Sequence, residues 1–344
     1  MWLIIALLLL SASCADNIPE ISNPQNSAYY WKTVYSNDSL EQAFVREHNV
    51  RKLYIRYFDV VLTDKEVLKP NATIRFAEPP DSSLQIVPTI FIVEKCMYHN
   101  PDTLATTLVD RILQISATHK VRNVHEIQID CDWTRNSQSL YFAFLEKVRQ
   151  YCDTKGLRLS ATIRLHQLSM APPPCDYGAL MLYNTGNVRD ANVENPILGY
   201  NEVRPFIRYI ADYKLPLCAA LPNFKWQMLR GAGKFKHIMY NLDIADSSMF
   251  RQVSDCEYIA VRNRDVPIFM ASADYNVMIK MGDTIKLCKA EFSEIERVCA
   301  DIMERRPGVL SQVIIYDLNN NNINNLSKNE YEKIFDFGDD PAHR

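Results

Sequence analysis

Glu126-Ile127-Gln128-Ile129-Asp130-Cys131-Asp132-Trp133, residues 126–133, is the stretch on which the fold turns. Side chains of an extended chain alternate between two faces. One face here carries Ile127, Ile129, Cys131 and Trp133, and the other carries Gln128, Asp130 and Asp132. The apolar set is expected to pack beneath helices, and the polar set to point into the middle of a closed sheet. Two carboxylates in such a place are costly unless paired or hydrogen-bonded. Their Cα atoms should lie about 6.6 Å apart at a rise of ~3.3 Å per residue. Close like charges raise one pKa, which suits general acid–base work. A solvated pair at a strand end, held by arginine and backbone groups, is the structural alternative.

Outward from this strand the same signal recurs. Candidate strands are 29–35, 52–61, 85–93, 157–166, 178–184, 217–222 and 313–318. Helical periodicity falls between most of them, at 40–48, 102–119, 137–154, 202–213 and 293–305, the first behind the cap-rich Asn37-Asp38-Ser39. Eight strands with mostly helical crossovers predict an α/β fold, a (β/α)₈ TIM barrel. A doubly wound open sheet is the runner-up, but its G-x-G-x-x-G phosphate signature is absent. Residues 230–289 break the rhythm. Short strands at 258–261, 266–270 and 277–287, with Gly282-Asp283 as a hairpin turn, predict a small β-rich insertion at about 231–289, before the last helix. The asparagine-rich run 319–325 reads as a loop after the last strand.

The fifth strand alternates in the same way, with Ser160, Thr162, Arg164 and His166 on one face. Arg164 is the expected counter-ion of the aspartates, with His166 nearer the mouth or a satisfied structural histidine. In the second strand Arg56 shares a face with Tyr54 and Phe58 as a buried charge partner, and Asp59 faces the other way or lies in the loop.

Composition removes other classes. The 344 residues are 47% hydrophobic and 23% charged, with a formal charge of −3, so a basic nucleic-acid footprint is missing. No P-loop, C-x-x-C or metal-ligand spacing occurs, so no cofactor and no metal is expected. The start gives an address. Residues 1–10 are an apolar run too short to span a bilayer, but the right length for a secretory signal. Ser11-Ala12-Ser13-Cys14 resembles a bacterial lipobox. It implies a signal peptide over 1–13, lipid on Cys14, a polar tether over 14–27 and a barrel over 28–344, held on the cell-envelope membrane. Ordinary cleavage near Ser13, with Cys14 an incidental thiol, is the alternative. The eight other cysteines mostly sit in apolar runs, as buried free thiols with at most one bridge.

Residues 127–134, IQIDCDWT, resemble the strand-four motif D-G-x-D-x-D-x-E of family 18 glycoside hydrolases, and Met181-Leu182-Tyr183-Asn184 followed by Gly186 resembles their strand-six motif. That family comprises chitinases, endo-β-N-acetylglucosaminidases and related proteins that only bind chitin-like glycans. The chain is also similar to bacterial barrel lipoproteins whose strand reads Q-[IL]-D-x-D. The resemblance implies that Asp132 orients a substrate acetamido group, that Asp130 is its buried partner, and that Tyr183 hydrogen-bonds the acetamido oxygen as it attacks the anomeric carbon. Such substrate-assisted hydrolysis departs from the two-carboxylate scheme. The family's acid, a glutamate, falls on Thr134, which has no useful acidity near pH 7, and the first aspartate falls on Ile127. Either another acid donates the proton, with Asp132, Glu94 and Asp317 the candidates, or the barrel binds without cleaving. Asn184, Trp226 and Tyr316 complete a rim suited to an oligosaccharide, with Phe224 read as core. Glycoside hydrolase, non-catalytic glycan-binding lipoprotein and envelope scaffold subunit all stay open.

Overall fold

The structure is a computed structural model describing residues 20–338 apart from 100, 191 and 270–273. Eight strands form one closed sheet: β1 (Ser27–Tyr30), β2 (Lys52–Leu62), β3 (Gln85–Ile92), β4 (Glu126–Asp130), β5 (Arg158–Ile163), β6 (Tyr177–Met181), β7 (Leu217–Pro222) and β8 (Val313–Tyr316). Every neighbouring pair is parallel, and β1 pairs with both β2 and β8, which closes the barrel. All eight fall within or beside the stretches read as strands. The lipobox cysteine Cys14 lies outside the described residues.

The helices are α1 (Ser39–Glu47), α2 (Pro101–Thr118), α3 (Gln138–Thr154), α4 (Tyr200–Ile207), α5 (Phe292–Arg305), α6 (Asn320–Ile323) and α7 (Lys328–Asp336). Asp38 caps α1 by accepting from the backbone N–H groups of Leu40 and Glu41. The outward residues of β4 lie under α3 as expected: Trp133 stacks on Tyr141 at 5.9 Å and meets Phe142 edge-on at 5.3 Å.

The barrel interior is unusually polar at its base. Lys52 pairs with Glu126 at 3.1 Å, both fully buried, and Glu126 also accepts from Ser160 at 2.7 Å and from the Tyr177 hydroxyl. A layer higher, the Tyr29 hydroxyl donates to Gln128 at 2.8 Å. Each buried charge thus has a counter-charge and hydrogen bonds, which is what makes its burial tolerable.

The β2–β3 crossover, where no helix was read, carries Leu68–Asn71 running antiparallel to the end of β2. Three local expectations are corrected. The asparagine run is not all loop, because the Asn319 side chain caps the single turn α6. Gly282-Asp283 does not close a hairpin: Thr284–Lys289 pairs with Lys225–Gly231 and Glu257–Ala260, whereas Asp274–Ile279 pairs with Arg264–Phe269. The turn therefore passes the chain from one sheet to another. The β-rich insertion is real, a five-stranded antiparallel sheet plus that hairpin around a small core of Leu229, Phe250, Ile279 and Ile285. The last correction is in β2, where a bulge between Arg56 and Phe58 shifts the register. Tyr57 bonds Ser116 of α2 at 3.0 Å and Phe58 lies under Arg111, so both face outward. Asp59 comes round to the side of Arg56, which it binds through both oxygens.

Candidate functional site

The C-terminal ends of the strands and the loops beyond them are where barrels place their chemistry. Asp130 ends β4 and is almost fully buried; it accepts from Thr162 of β5 at 2.7 Å and from the Arg164 guanidinium at 3.3 Å. Arg164 also donates through Nε to Asp132 and lies beside the Met181 sulfur. The two carboxylates differ sharply in setting, the Asp130 side chain being 4% exposed and that of Asp132 56%. Burial pushes the Asp130 carboxyl up, and Arg164 and Thr162 only partly offset it. Burial alone would lower the Arg164 pKa, but Asp130 and Asp132 more than compensate and hold it above its ordinary value. Arg164 is thus the counter-ion that alternation along β5 predicts.

The loop after β4 is fastened by Glu94, which follows β3. One Glu94 oxygen accepts from the Thr134 hydroxyl at 2.7 Å, the Thr134 backbone N–H at 3.2 Å and the Ser137 hydroxyl at 2.6 Å. Burial works against its charge, but the hydrogen bonds from Ser137 and Thr134 win and hold the carboxyl below the usual range. Glu94 therefore serves as an anionic loop clamp, and a poor proton donor near neutrality. The Gln167 side chain ties the next loop in, donating to the Trp133 carbonyl at 2.8 Å and accepting from the Arg164 backbone at 2.8 Å.

Tyr183 and Tyr316 stack at 4.4 Å between centroids, 20° from parallel, with Phe224 edge-on to both. The Tyr183 hydroxyl is buried and has no hydrogen-bond partner among the described residues, and burial raises its pKa well above that of a free phenol. Asp317, one residue on, accepts from the Asn322 amide. Burial pushes its carboxyl up to about 6, with Asn322 and then Lys32 offsetting part of the rise.

A cleft of about 550 Å³ opens beside this stack, between Trp31, Tyr316 and the loop after β8 on one side and the inserted sheet on the other. It brings together four residues foreseen as site residues, Asn184, Trp226, Tyr316 and Asp317. The foreseen Asp130, Asp132, Arg164 and Tyr183 do not line it, and three more foreseen residues stand elsewhere again. His166 is exposed on the 3₁₀ turn Leu165–Ser169, because β5 ends at Ile163. Arg56 is spent on Asp59, its guanidinium 5.7 Å from the Trp31 ring. Glu94 is spent on the β4 loop.

No family model matches the chain, and no curated protein matches it either. Solved structures do. A chitinase from Chromobacterium violaceum superposes with a TM-score of 0.55 at 10% identity, covering 92% of this chain and 98% of that one. A class V chitinase from Pseudomonas fluorescens gives 0.52 at 12%, covering 92% and 99%. The spore cortex-lytic enzyme SleL of Bacillus cereus gives 0.53 at 12%, covering 92% and 74%. The fold is that of a chitinase-like barrel. At such identity the likeness speaks for the architecture alone, and the chemistry rests on this chain's own residues.

In this chitinase-like barrel the reading from sequence missed Trp31, Tyr240, Asn241 and Asn321, all of which line the cleft. Trp31 carried a signal, an aromatic one residue past a barrel strand. The asparagine run carried another, being polar, uncharged and directly after β8. Tyr240 and Asn241 carried none, since only the inserted sheet's fold brings them to the mouth.

Proposed function

We propose that this chitinase-like barrel binds a glycan in the cleft at its mouth and does not hydrolyse it by the acetamide-assisted route. The observation that carries the reading is the commitment of Arg164. It holds both Asp130 and Asp132, the groups that the motif resemblance assigns to an acetamido substituent. Supporting it, Thr134 stands where the motif has its acid, bonded to a Glu94 whose pKa is depressed. Stacked aromatics beside a polar cleft are a natural seat for sugar rings, which offer an apolar CH face and hydroxyl edges. We propose further that the body is held outside the cytoplasm by lipid on Cys14, as the lipobox-like Ser11–Cys14 implies.

One observation favours hydrolysis instead. Asp317 lines the cleft and its carboxyl sits at about 6, a value suited to a proton donor near neutrality. Oligosaccharide binding and release of reducing ends, measured on the same protein, separate the two readings. The parent should bind without releasing reducing ends, and so should Thr134→Glu, because Arg164 still holds Asp130 and Asp132. Cleavage of N-acetylchitooligosaccharides by Thr134→Glu, reduced ~10²–10³ by Asp132→Asn or Tyr183→Phe in that background, would show that the missing acid and not Arg164 blocks the assisted route. Turnover by the parent that disappears in Asp317→Asn would replace the binding reading with hydrolysis.

A further inference from the structure

Most polar side chains along the cleft are already committed. Gln227 exchanges hydrogen bonds with the Leu242 backbone in both directions at 2.8 Å, Asn322 donates to Asp317, and the Asn319 oxygen caps α6. Three amides are left: Asn184 after β6, Asn241 from the insertion and Asn321 on α6. All three are exposed, and none has a side-chain hydrogen bond among the described residues. Asn184 and Asn241 stand on left-handed backbone, with φ of 55° and 57°, which asparagine tolerates better than most residues. Their Cβ directions are therefore set by the turns.

The chemistry of this set is specific. An amide presents a donor and an acceptor side by side and carries no charge. It matches a hydroxyl pair, which also donates and accepts. Lys225 is the one cation and Asp317 the one anion among the described lining residues, so the cleft offers no cluster of charge for a phosphate, sulfate or uronate. On the inserted-sheet side, Trp226 and Tyr240 supply ring faces, and Tyr240 is 59% exposed and so open to a ligand. Outside the cleft lining, the buried Asp130 and the exposed Asp132 are both taken by Arg164.

We propose that Asn184, Asn241 and Asn321 determine the specificity of the cleft, reading the hydroxyls of a neutral saccharide whose ring covers Trp226 and Tyr240, so that the ligand needs no N-acetyl group. This deepens the glycan-binding reading and rests on it. The test is calorimetric titration of the full chain with cellotetraose, mannotetraose, xylotetraose and tetra-N-acetylchitotetraose. The first and last share a backbone and differ at the 2-substituent. At least one unsubstituted tetrasaccharide should bind as tightly as the N-acetylated one or tighter. Asn321→Ala and Tyr240→Ala, both at exposed positions, should each weaken that binding roughly tenfold with unchanged thermal unfolding, and Asn241→Gly, which keeps the left-handed turn, should do the same. Binding confined to the N-acetylated sugar overturns the proposal but leaves glycan binding standing, as does binding that all three variants retain in full. Binding of none of the four sugars overturns both.

Discussion

At the scale of single residues, the centre of the barrel is governed by the cost of burying charge. Asp130 is tolerated because Arg164 and Thr162 reach it. Arg164→Met removes the counter-ion and leaves a nearly dry carboxylate, a change that costs about 3–5 kcal/mol when a buried pair is broken. Asp132, mostly in water, adds little to that sum. The loss should be greatest near neutral pH and shrink on acidification, since the Asp130 carboxyl, already pushed up by burial, rises further without the guanidinium and takes a proton instead. Urea unfolding at pH 7 and pH 5 measures this, and a loss equal at both would show that Arg164 acts by packing alone. Asp317 has the opposite sign as a variant. Its carboxyl, pushed up to about 6, holds its proton more tightly folded than unfolded. Its contribution is therefore fully favourable only below the ordinary carboxylate value near 4, and is lost as pH rises through about 6. A rise of about two pH units corresponds to about 3 kcal/mol, so Asp317→Asn should gain up to that amount at pH 7.5 and nothing at pH 3.5. The alternation along residues 126–133 and 160–164 makes the pairing of Arg164 with the aspartates legible in the sequence, because a period of two is all that is needed to separate inside from outside. Phe58 and Asp59 fall on faces the alternation does not give them, because one extra residue at Tyr57 breaks that period, and nothing in the side chains announces a bulge.

At the scale of elements, the strands and five of the helices between them were legible, and the helix-free connections were not. Barrel strands are buried on both faces and their composition says so, whereas a crossover must only span a distance, which a helix, a strand pair or a 3₁₀ turn can each do. The β2–β3 and β5–β6 links take the second and third of these options. The loop after β6 shows how tightly such a link can be set. A Cβ at Gly186 would lie 2.5 Å from the Val193 side chain and 2.8 Å from the Pro196 Cα. The Pro196 contact is backbone and cannot rotate away. Gly186→Ala should therefore cost about 1–3 kcal/mol, the usual range for overpacking, and displace the neighbouring Asn184 from the cleft. Thermal unfolding reads the first effect and oligosaccharide affinity the second. Full stability with reduced affinity would still indicate a moved loop, while no change in either would mean that the segment is free to shift.

At the scale of the whole molecule, cysteine usage and address must agree. An exported chain meets oxidants and can form disulfides, yet the eight cysteines among the described residues are all free and seven are buried. Burial reconciles these free thiols with the proposed export. Thiolate is the reactive form, and desolvation pushes the Cys218 and Cys152 thiols up to about 12 and Cys288 to about 11, with Cys131, Cys175 and Cys299 raised as well. Such groups are almost wholly protonated at pH 7 and sealed from reagent. Cys256, on the inserted sheet, is the exposed exception. This gives the proposed lipid on Cys14 a quantitative consequence. In the native mature protein, a thiol reagent at pH 8 should modify one cysteine quickly, Cys256, because the thioether to the proposed lipid leaves Cys14 no free thiol. Eight should react once the chain is unfolded in denaturant. Cys14→Ala should change neither count, should carry no lipid label and should move the protein from the membrane to the soluble fraction. A fast count of two that falls to one in Cys14→Ala would show that Cys14 is a free thiol, and the proposal of a lipid anchor would then fall while the barrel and its cleft stood.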